Sequence, residues 1–589
     1  MERQKDNLNT FWSKIIIEEF IRSGIDYFCI SPGSRSTPLT SAAALNKKAI
    51  IKMVYDERSN GYYALGYGKF KRMPAVIITT SGTSVPNLYP SIVEAHYSNI
   101  PIIVLTADRP PEMQGVNANQ AIDQKKIFGN YVKLFSNLPC PDINIMPEFI
   151  LDTIDHAINE CTKSPCGPVH INCQFRKPLE PVNSIIDKDY IKNIKKWQIT
   201  DKPYAKYISD FKQMPDIHGD QHISGIIDSI NSTNKGLISV GTLNPNMETT
   251  EIIRLINRLN WPVYADVTSG LRLTKCGSNI IRHFDQGILS SKFNRRVSPE
   301  VVLHFGGRIT SKRFGHFLEQ NRPKEFVAIN ENGGRNDPFQ GFNTSIETDI
   351  KLFLKIVLKK VQKCKDGRFK KFYDLKIRKS QDIIENISQE AKEINEVFIA
   401  RHISKIIPDG NSLFLSSSMP IRDMDLYGIY GKKNILVGSN RGVSGIDGVI
   451  STAVGFAKSS HTVTTLLIGD QAFIHDVNSL SLIKANKDPL VIVLVNNQGG
   501  GIFHFLPISE NKEIFEKYFV FPHDFTFKGV CSSFKIDHFL IQDKKSFEGQ
   551  YEAALGSGRP VVLEIKTDRN YNLWIRRKIK REILKILEK

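Results

Sequence analysis

Short, continuous apolar runs recur along this chain and alternate with longer amphipathic stretches. In the first third the runs fall at residues 27–30, 75–79, 102–106 and 169–173, with a further short run just before Glu57. In the middle they fall at 237–240, 263–266, 301–305 and 326–329, and toward the end at 413–416, 435–437, 465–468 and 490–495, then 561–565. Strands that are apolar on both faces belong to parallel sheets covered by helices on each side. Their alternation with helix-length segments predicts an α/β protein with doubly wound parallel sheets. Three blocks follow: 1–185, 215–360 and 395–589. The polar stretch IIDKDYIKNIKKWQITDKPYAKY reads as a linker between the first two, and VQKCKDGRFKKFYDLKIRKSQDIIENISQE as a helical connection to the third. The first and third blocks have similar patterns. The middle block looks Rossmann-like but lacks the dinucleotide fingerprint.

A length of 589 residues suits about three domains, and 41% apolar residues can fill several cores. No uncharged apolar stretch is long enough to span a bilayer, so no membrane insertion is expected. The opening MERQKDNLNTFWSKIIIEEF is too polar for a signal peptide and reads as a capped amphipathic helix. The eight cysteines, Cys29, Cys140, Cys161, Cys166, Cys173, Cys276, Cys364 and Cys531, are scattered. Cys161 and Cys166 have no second pair at zinc spacing, so free thiols in a reducing, cytoplasmic setting are expected. The net charge of +18 raises the question of nucleic acid. The lysines are spread out and not interleaved with aromatic residues, so a solvated basic surface is expected and no nucleic-acid partner. Such a surface attracts small anions.

The chemistry concentrates in TTLLIGDQAFIHDVNSLSLIKANKDPLVIVLVNNQGGGIF. One apolar strand ends at Gly469-Asp470, a helix-length stretch follows, and a second strand ends at Asn496-Asn497. In a β-α-β unit this brings Asp470 and Asn497 to the carboxyl ends of two parallel strands, where they can converge. A carboxylate, an amide oxygen and a nearby backbone carbonyl, that of Gly499, make an all-oxygen site for Mg²⁺ or Mn²⁺. Gly499, Gly500 and Gly501 let backbone approach a phosphate closely. Farther upstream, VYDERSNGYYALGYGKF places Glu57 at the start of a helix with small residues Ala64, Gly66 and Gly68, ahead of a Gly-Thr-Ser turn. A carboxyl group there can serve in general acid-base catalysis.

Together these segments resemble the thiamine diphosphate enzymes, whose diphosphate motif runs from Gly-Asp-Gly to Asn-Asn; here Gln471 replaces the third residue. The resemblance implies thiamine diphosphate as cofactor, held through a divalent metal by Asp470, Asn497 and Gly499. Gly469, Ser417, Ile502 and Phe503 would pack around it, and Ile446 would support its folded V shape. Glu57 would share a proton with the aminopyrimidine ring and so promote loss of the thiazolium C2 proton. It further implies a pyrimidine-binding block at 1–185, a central block at 215–360 and a diphosphate-binding block at 395–589. In this superfamily the pyrimidine-binding domain of one chain faces the diphosphate-binding domain of another. A homodimer or homotetramer is therefore expected, with active sites between chains where Glu57 meets Asp470.

Four further segments narrow the resemblance. SPGSRSTPL at 31–39, LTADRPPEMQGVNANQAIDQ at 105–124, SKRF at 311–314 and SNRGVSGIDG at 439–448 are similar to the 2-succinyl-5-enolpyruvyl-6-hydroxy-3-cyclohexene-1-carboxylate synthase family. Its reaction decarboxylates 2-oxoglutarate and adds the acyl-anion equivalent to isochorismate, a step of menaquinone and phylloquinone biosynthesis. By this match Ser34, Arg35, Arg109, Gln120, Lys312 and Arg313 would hold isochorismate. Ser418, Arg422 and Arg441 would hold the succinyl carboxylate. Arginine suits both dianionic substrates, since its planar fork donates two parallel hydrogen bonds. Ser417 stands where this family often has Asn. Alternatives remain: Arg422 pairing with Asp423 or Asp425 on a surface helix, Arg35 serving only a capping loop, and Lys312-Arg313 as solvated charge. Other enzyme readings are a 2-oxo acid decarboxylase or an acetolactate-type carboligase. The former often carries adjacent histidines, which none of the 14 here are. A non-catalytic basic binding protein on this scaffold is the reading from another class.

Overall fold

The computed structural model describes residues 7–181, 186–208, 221–274, 279–281, 283–334, 337–364, 366–429, 433–484 and 489–588. Cys276 lies outside them. Three parallel α/β sheets account for the apolar runs, and every strand pair is parallel. The first sheet holds β1 (Tyr27–Ile30), β2 (Ile50–Met53), β3 (Val76–Thr79), β4 (Ile103–Asp108), β5 (Phe135–Leu138) and β6 (Val169–Gln174), in the order β2-β1-β3-β4-β6-β5. The second holds β7 (Gly236–Val240), β8 (Val263–Ala265), β9 (Val301–Phe305), β10 (Glu325–Asn330) and β11 (Thr344–Glu347), in the order β11-β10-β9-β7-β8. The third holds β12 (Ser412–Leu415), β13 (Leu436–Ser439), β14 (Thr464–Gly469), β15 (Leu490–Asn496), β16 (Asp537–Ile541) and β17 (Val561–Lys566), in the order β13-β12-β14-β15-β17-β16. The first and third orders are the same, as the similar sequence patterns suggest.

The fold has two compact units. One comprises residues 1–211, 440–460 and 476–485; the other comprises 212–439, 461–475 and 486–589. Two segments of the 395–589 block, both crossovers of the third sheet, thus group with the first sheet. Within that unit the helices Glu57–Lys71 and Val449–Ser460 are in backbone contact. A Cβ on Gly66 would lie 2.0 Å from the Thr452 carbonyl oxygen, and one on Gly455 would lie 2.1 Å from that of Tyr63. The N-terminal helix Leu8–Arg22 is capped by Asn7 and buries Trp12, Ile15, Ile16 and Phe20.

Two expectations need correction. The stretch expected as a linker is docked at Trp197, although most of its described residues are exposed: it contains the helix Lys195–Gln198, Trp197 is buried and donates to Glu19, and Arg22 lies 3.9 Å over its ring. Strands β5, β11 and β16 are absent from the run of apolar segments read in the sequence. The expected connection at 361–390 does contain a long helix, Arg368–Glu390. Among the described residues the seven cysteines are free thiols, and no helix is long and apolar enough to cross a membrane.

Candidate active site

In a doubly wound sheet the crevice opens where neighbouring strands send their connections in opposite directions. In the third sheet this is between β12 and β14. Ser417 and Ser418 follow β12; Asp470 follows β14 and opens the short helix Asp470–His475. Ser418 has φ +72°, a conformation few non-glycine residues adopt. Strand β15 lies beside β14, pairing Val495 with Gly469, so Asn497 emerges next to Asp470.

The local geometry is polar and buried. Asp470 is 2% exposed. Its Oδ1 accepts the Gln471 N–H at 2.6 Å and its Oδ2 the Gly499 N–H at 3.0 Å. Burial pushes its carboxyl upward, and those N–H donors act against that shift. His523 Nε2 lies 3.3 Å from Asp470 Oδ2. Asn497 donates from Nδ2 to Glu396 Oε1 at 3.1 Å, while its Oδ1 is buried with no hydrogen-bond partner. Gly499 has φ +141°, and a Cβ there would lie 2.6 Å from the Val520 carbonyl oxygen. Only glycine fits. Gln471 lies inside the helix Asp470–His475 and donates to the Val520 carbonyl at 3.3 Å, so this position makes no demand for glycine. An orphaned carbonyl oxygen beside a buried carboxylate is the donor set a hard cation takes. Asp470, Asn497 Oδ1 and the Gly499 backbone therefore fit the metal expected of this motif. Ile502 and Phe503 lie on the turn Gly501–Phe505 that follows.

The same unit carries Arg422, Lys312 and Arg313. Arg422 lies on the helix Met419–Tyr427 and donates to the Ser418 carbonyl. Its two acidic neighbours bond elsewhere. Asp423 pairs with Arg576, and Asp425 accepts the Val267 N–H at 2.9 Å. Lys312 and Arg313 open the helix Lys312–Gln320; Lys312 is exposed, and Arg313 pairs with Asp285. The second sheet has its own switch point between β7 and β9, but backbone fills it. A Cβ on Gly241 would lie 2.1 Å from the Gly307 carbonyl oxygen, and the Gly307 N–H donates to Thr242 O at 2.9 Å. This fits the missing dinucleotide fingerprint.

The other unit repeats the arrangement at β1 and β3. The loop Ser31 to Ser36 follows β1, and Arg35 N–H donates to Thr80 Oγ1, just past β3, at 3.2 Å. Arg35 is buried; its Nη1 donates to the Phe175 carbonyl at 2.8 Å, and its Nε has no partner. Arg109 follows β4, and its Nε is likewise buried without a partner. Burial, and then the nearby Arg109, push the Arg35 guanidinium below its ordinary range; Asp108 acts against them. Asp108 is already committed to the N–H of Arg109 at 2.7 Å, to Gln114 and to Asn172. Two guanidiniums with orphaned donors fit an anion. Ser34 is exposed on this loop. Gln120, also exposed, has φ +57° and exchanges hydrogen bonds with Ser81 at 2.9 and 3.2 Å.

Glu57 is the first residue of the helix Glu57–Lys71, capped by Asp56, and is half-buried. A chain of hydrogen bonds runs back from that cap: Asp56 to Ser59 (2.9 Å), Ser59 to Ser479 (2.8 Å), Ser479 to Asp476 (2.8 Å). Asp476 Oδ2 then accepts the N–H groups of Ile450 and Ser451 at 2.7 and 3.0 Å. Burial pushes its carboxyl up to about 6. The loop bearing Arg441 and Ile446 is held at both ends. Glu94 accepts the Gly442 and Val443 N–H groups at 2.8 and 2.7 Å, and Tyr62 donates to Asp447. Ile446, between these anchors, is 36% exposed. Sequence reading missed Glu94, Glu396, Asp476 and Arg576. Two carried a signal: Glu94 is a charge beside the apolar Ile92 and Ala95, and Arg576 one at helical spacing among Ile575, Ile579 and Ile583.

Comparison with known proteins agrees along the whole chain. A model of the N-terminal TPP binding domain of thiamine pyrophosphate enzymes matches residues 12–127, one of the middle domain 188–415 and one of the C-terminal TPP binding domain 424–565. A 2-succinyl-5-enolpyruvyl-6-hydroxy-3-cyclohexene-1-carboxylate synthase of Prosthecochloris aestuarii is 37% identical over 583 residues, 99% of this chain and 98% of that one. One of Pelodictyon phaeoclathratiforme is 39% identical over 567 residues, 96% of this chain and 94% of its own. The chloroplastic protein PHYLLO of Arabidopsis thaliana is 34% identical over an alignment of 601 positions that covers 97% of this chain but 35% of that longer protein.

Proposed function

The chain belongs to the 2-succinyl-5-enolpyruvyl-6-hydroxy-3-cyclohexene-1-carboxylate synthase family of thiamine diphosphate enzymes, and we propose that it decarboxylates 2-oxoglutarate and joins the succinyl unit to isochorismate by 1,4-addition. The observation that carries this reading is the full-length relationship to synthases of that name, and the sequence supplies a candidate residue set for each half of the site: Glu57 for one, Asp470 and Asn497 for the other.

Thiamine diphosphate, when bound, supplies the electron sink for decarboxylation and carbon–carbon bond formation. The chain's residues do the rest. Asp470, Asn497 Oδ1 and the Gly499 carbonyl would hold Mg²⁺ or Mn²⁺, which would supply positive charge for the diphosphate. Gly469, Ser417, Ile502 and Phe503 would line the cofactor, and Ile446 would support it. The Glu57 carboxyl holds a proton against the aminopyrimidine ring. Arg422 and Arg441, with Ser418, orient the distal carboxylate of 2-oxoglutarate. Ser34, Arg35, Arg109, Gln120, Lys312 and Arg313 orient isochorismate. Fixed cations placed in this way favour one approach of two dianions and cost no reorganisation during reaction. The active unit in this reading is a cytoplasmic homodimer or homotetramer, with Glu57 from one chain and Asp470 from another. Incubation with 2-oxoglutarate, isochorismate, thiamine diphosphate and Mg²⁺, followed by product mass, tests the function. Release of CO₂ with pyruvate but not with 2-oxoglutarate would favour an acetolactate-type enzyme instead.

A further inference from the structure

The side-chain amide of Asn497 has two ends of nearly equal shape and opposite chemistry. Rotating it by a half-turn would present NH₂ to a cation in place of oxygen. The hydrogen-bond partner decides which end faces where. Glu396 opens the helix Glu396–Ile406, and its Oε1 accepts from Asn497 Nδ2. A carboxylate only accepts, so it pairs only with the NH₂ end. Gly501 leaves room for that end, since a Cβ there would lie 2.7 Å from Nδ2. The opposite end, Oδ1, is the buried orphan.

Glu396 is itself fixed. Its Oε2 accepts from Arg576 Nη2 at 2.9 Å, and its backbone N–H donates to Asn572 Oδ1 at 3.0 Å. Both partners lie on the C-terminal helix Arg569–Glu588. The Arg576 guanidinium lies 5.5 Å from the ring centre of Tyr427 and 5.2 Å from that of Phe505, and it also pairs with Asp423, the neighbour of Arg422. One buried arginine thus ties together the residue behind Asn497 and the helix that carries Arg422.

We propose that Glu396 is a positioning residue for the metal site: held by Arg576, it sets the Asn497 amide with its oxygen toward the cation. The proposal rests on the reading of Asp470, Asn497 and Gly499 as the metal-diphosphate site. Partners behind a metal ligand typically change affinity by about 10- to 100-fold when removed.

The test is a double-mutant comparison of Mn²⁺ binding by the full chain at saturating thiamine diphosphate, read by electron paramagnetic resonance. Glu396→Ala should weaken Mn²⁺ by about 10- to 100-fold in the protein that has Asn497. In the Asn497→Asp background both terminal atoms are oxygens, so no orientation needs to be set. There Glu396→Ala should leave Mn²⁺ affinity unchanged or tighten it. Equal weakening in both backgrounds, or no weakening in the first, overturns the proposal. Absence of saturable Mn²⁺ binding by the wild type removes the metal reading and the proposal with it. If the alanine variant does not fold, Glu396→Gln keeps the volume, loses the obligatory acceptor and carries the same comparison.

Discussion

Asp470 Oδ2 accepts the Gly499 N–H at 3.0 Å, so one carboxylate ties the end of β14 to the turn after β15. The contact brings together the two ends of the motif that the sequence separates. It also fixes the backbone whose carbonyl is assigned to the metal. Asp470→Ala should lose both the metal ligand and this tie. Calorimetric titration with thiamine diphosphate and Mg²⁺ should show no binding; wild-type affinity would refute the assignment.

Glu57 stands at the start of a helix anchored through Asp56, Ser59 and Ser479. Glu57→Gln keeps shape and size but cannot share a proton in the same way. The variant should bind thiamine diphosphate and fold normally, yet exchange the C2 proton of the bound cofactor far more slowly. Quenched-flow exchange followed by proton NMR measures this. A wild-type exchange rate would take Glu57 out of the chemistry.

Gly66 and Gly455 let two helices touch through their backbones. Adding a methyl group at either would bring carbon to about 2 Å from a carbonyl oxygen, and neither helix can yield without moving the other. Gly66→Ala and Gly455→Ala should each cost about 3 kcal/mol or more in unfolding free energy. Gly549→Ala is the contrast. That glycine lies within the helix Lys544–Gly556, and an added methyl would meet nothing within 4 Å, so the change should stabilise by about 0.5–1 kcal/mol. Urea titration of the three variants separates the cases.

His170 on β6 is fully buried, and burial pushes its imidazole down to about 3. In the unfolded chain it takes up a proton near pH 6.5. The folded value is the lower one, so its contribution is present above about pH 6.5 and is lost as pH falls toward 3. Relative to His170→Gln, the wild type should lose about 1.4 kcal/mol of stability per pH unit below 6.5. Urea unfolding of both proteins from pH 7.5 to 5 gives the difference; a constant gap across that range would contradict it.

The elements legible in the sequence were those buried on both faces. Strands such as β3, β4, β9 and β15 are continuous apolar runs because helices cover each side. The three that escaped, β5, β11 and β16, are all sheet edges and carry mixed burial, as in Thr344–Glu347, where no residue is fully buried. An edge strand has one neighbour and needs less apolar surface. Asp470 and Asn497 were legible for a related reason: the end of a buried strand marks a position in space. The pairing of Glu396 with Arg576 was not. The two lie 180 residues apart, and a glutamate opening a helix looks the same whether it serves the helix dipole or holds another residue's amide.

The arginines should separate the two half-reactions. Arg422 and Arg441 are assigned to 2-oxoglutarate, which must be bound before CO₂ can leave. Their alanine variants should therefore lose decarboxylation itself. Arg35 and Arg109 are assigned to isochorismate, and the Nε group of each is buried without a hydrogen-bond partner. Their alanine variants should still release CO₂ slowly from 2-oxoglutarate but fail to form the joined product. Loss of a bidentate carboxylate contact should cost about 2–4 kcal/mol, or roughly 30- to 1,000-fold in kcat/KM for the substrate concerned. Stopped-flow measurement of the first step without isochorismate isolates the two classes. Equal impairment of that step in Arg35→Ala and Arg422→Ala would show the substrate map to be wrong while leaving the family assignment intact. That assignment rests on full-length identity, whereas the map rests on the resemblance of short segments such as SPGSRSTPL and SNRGVSGIDG to the family.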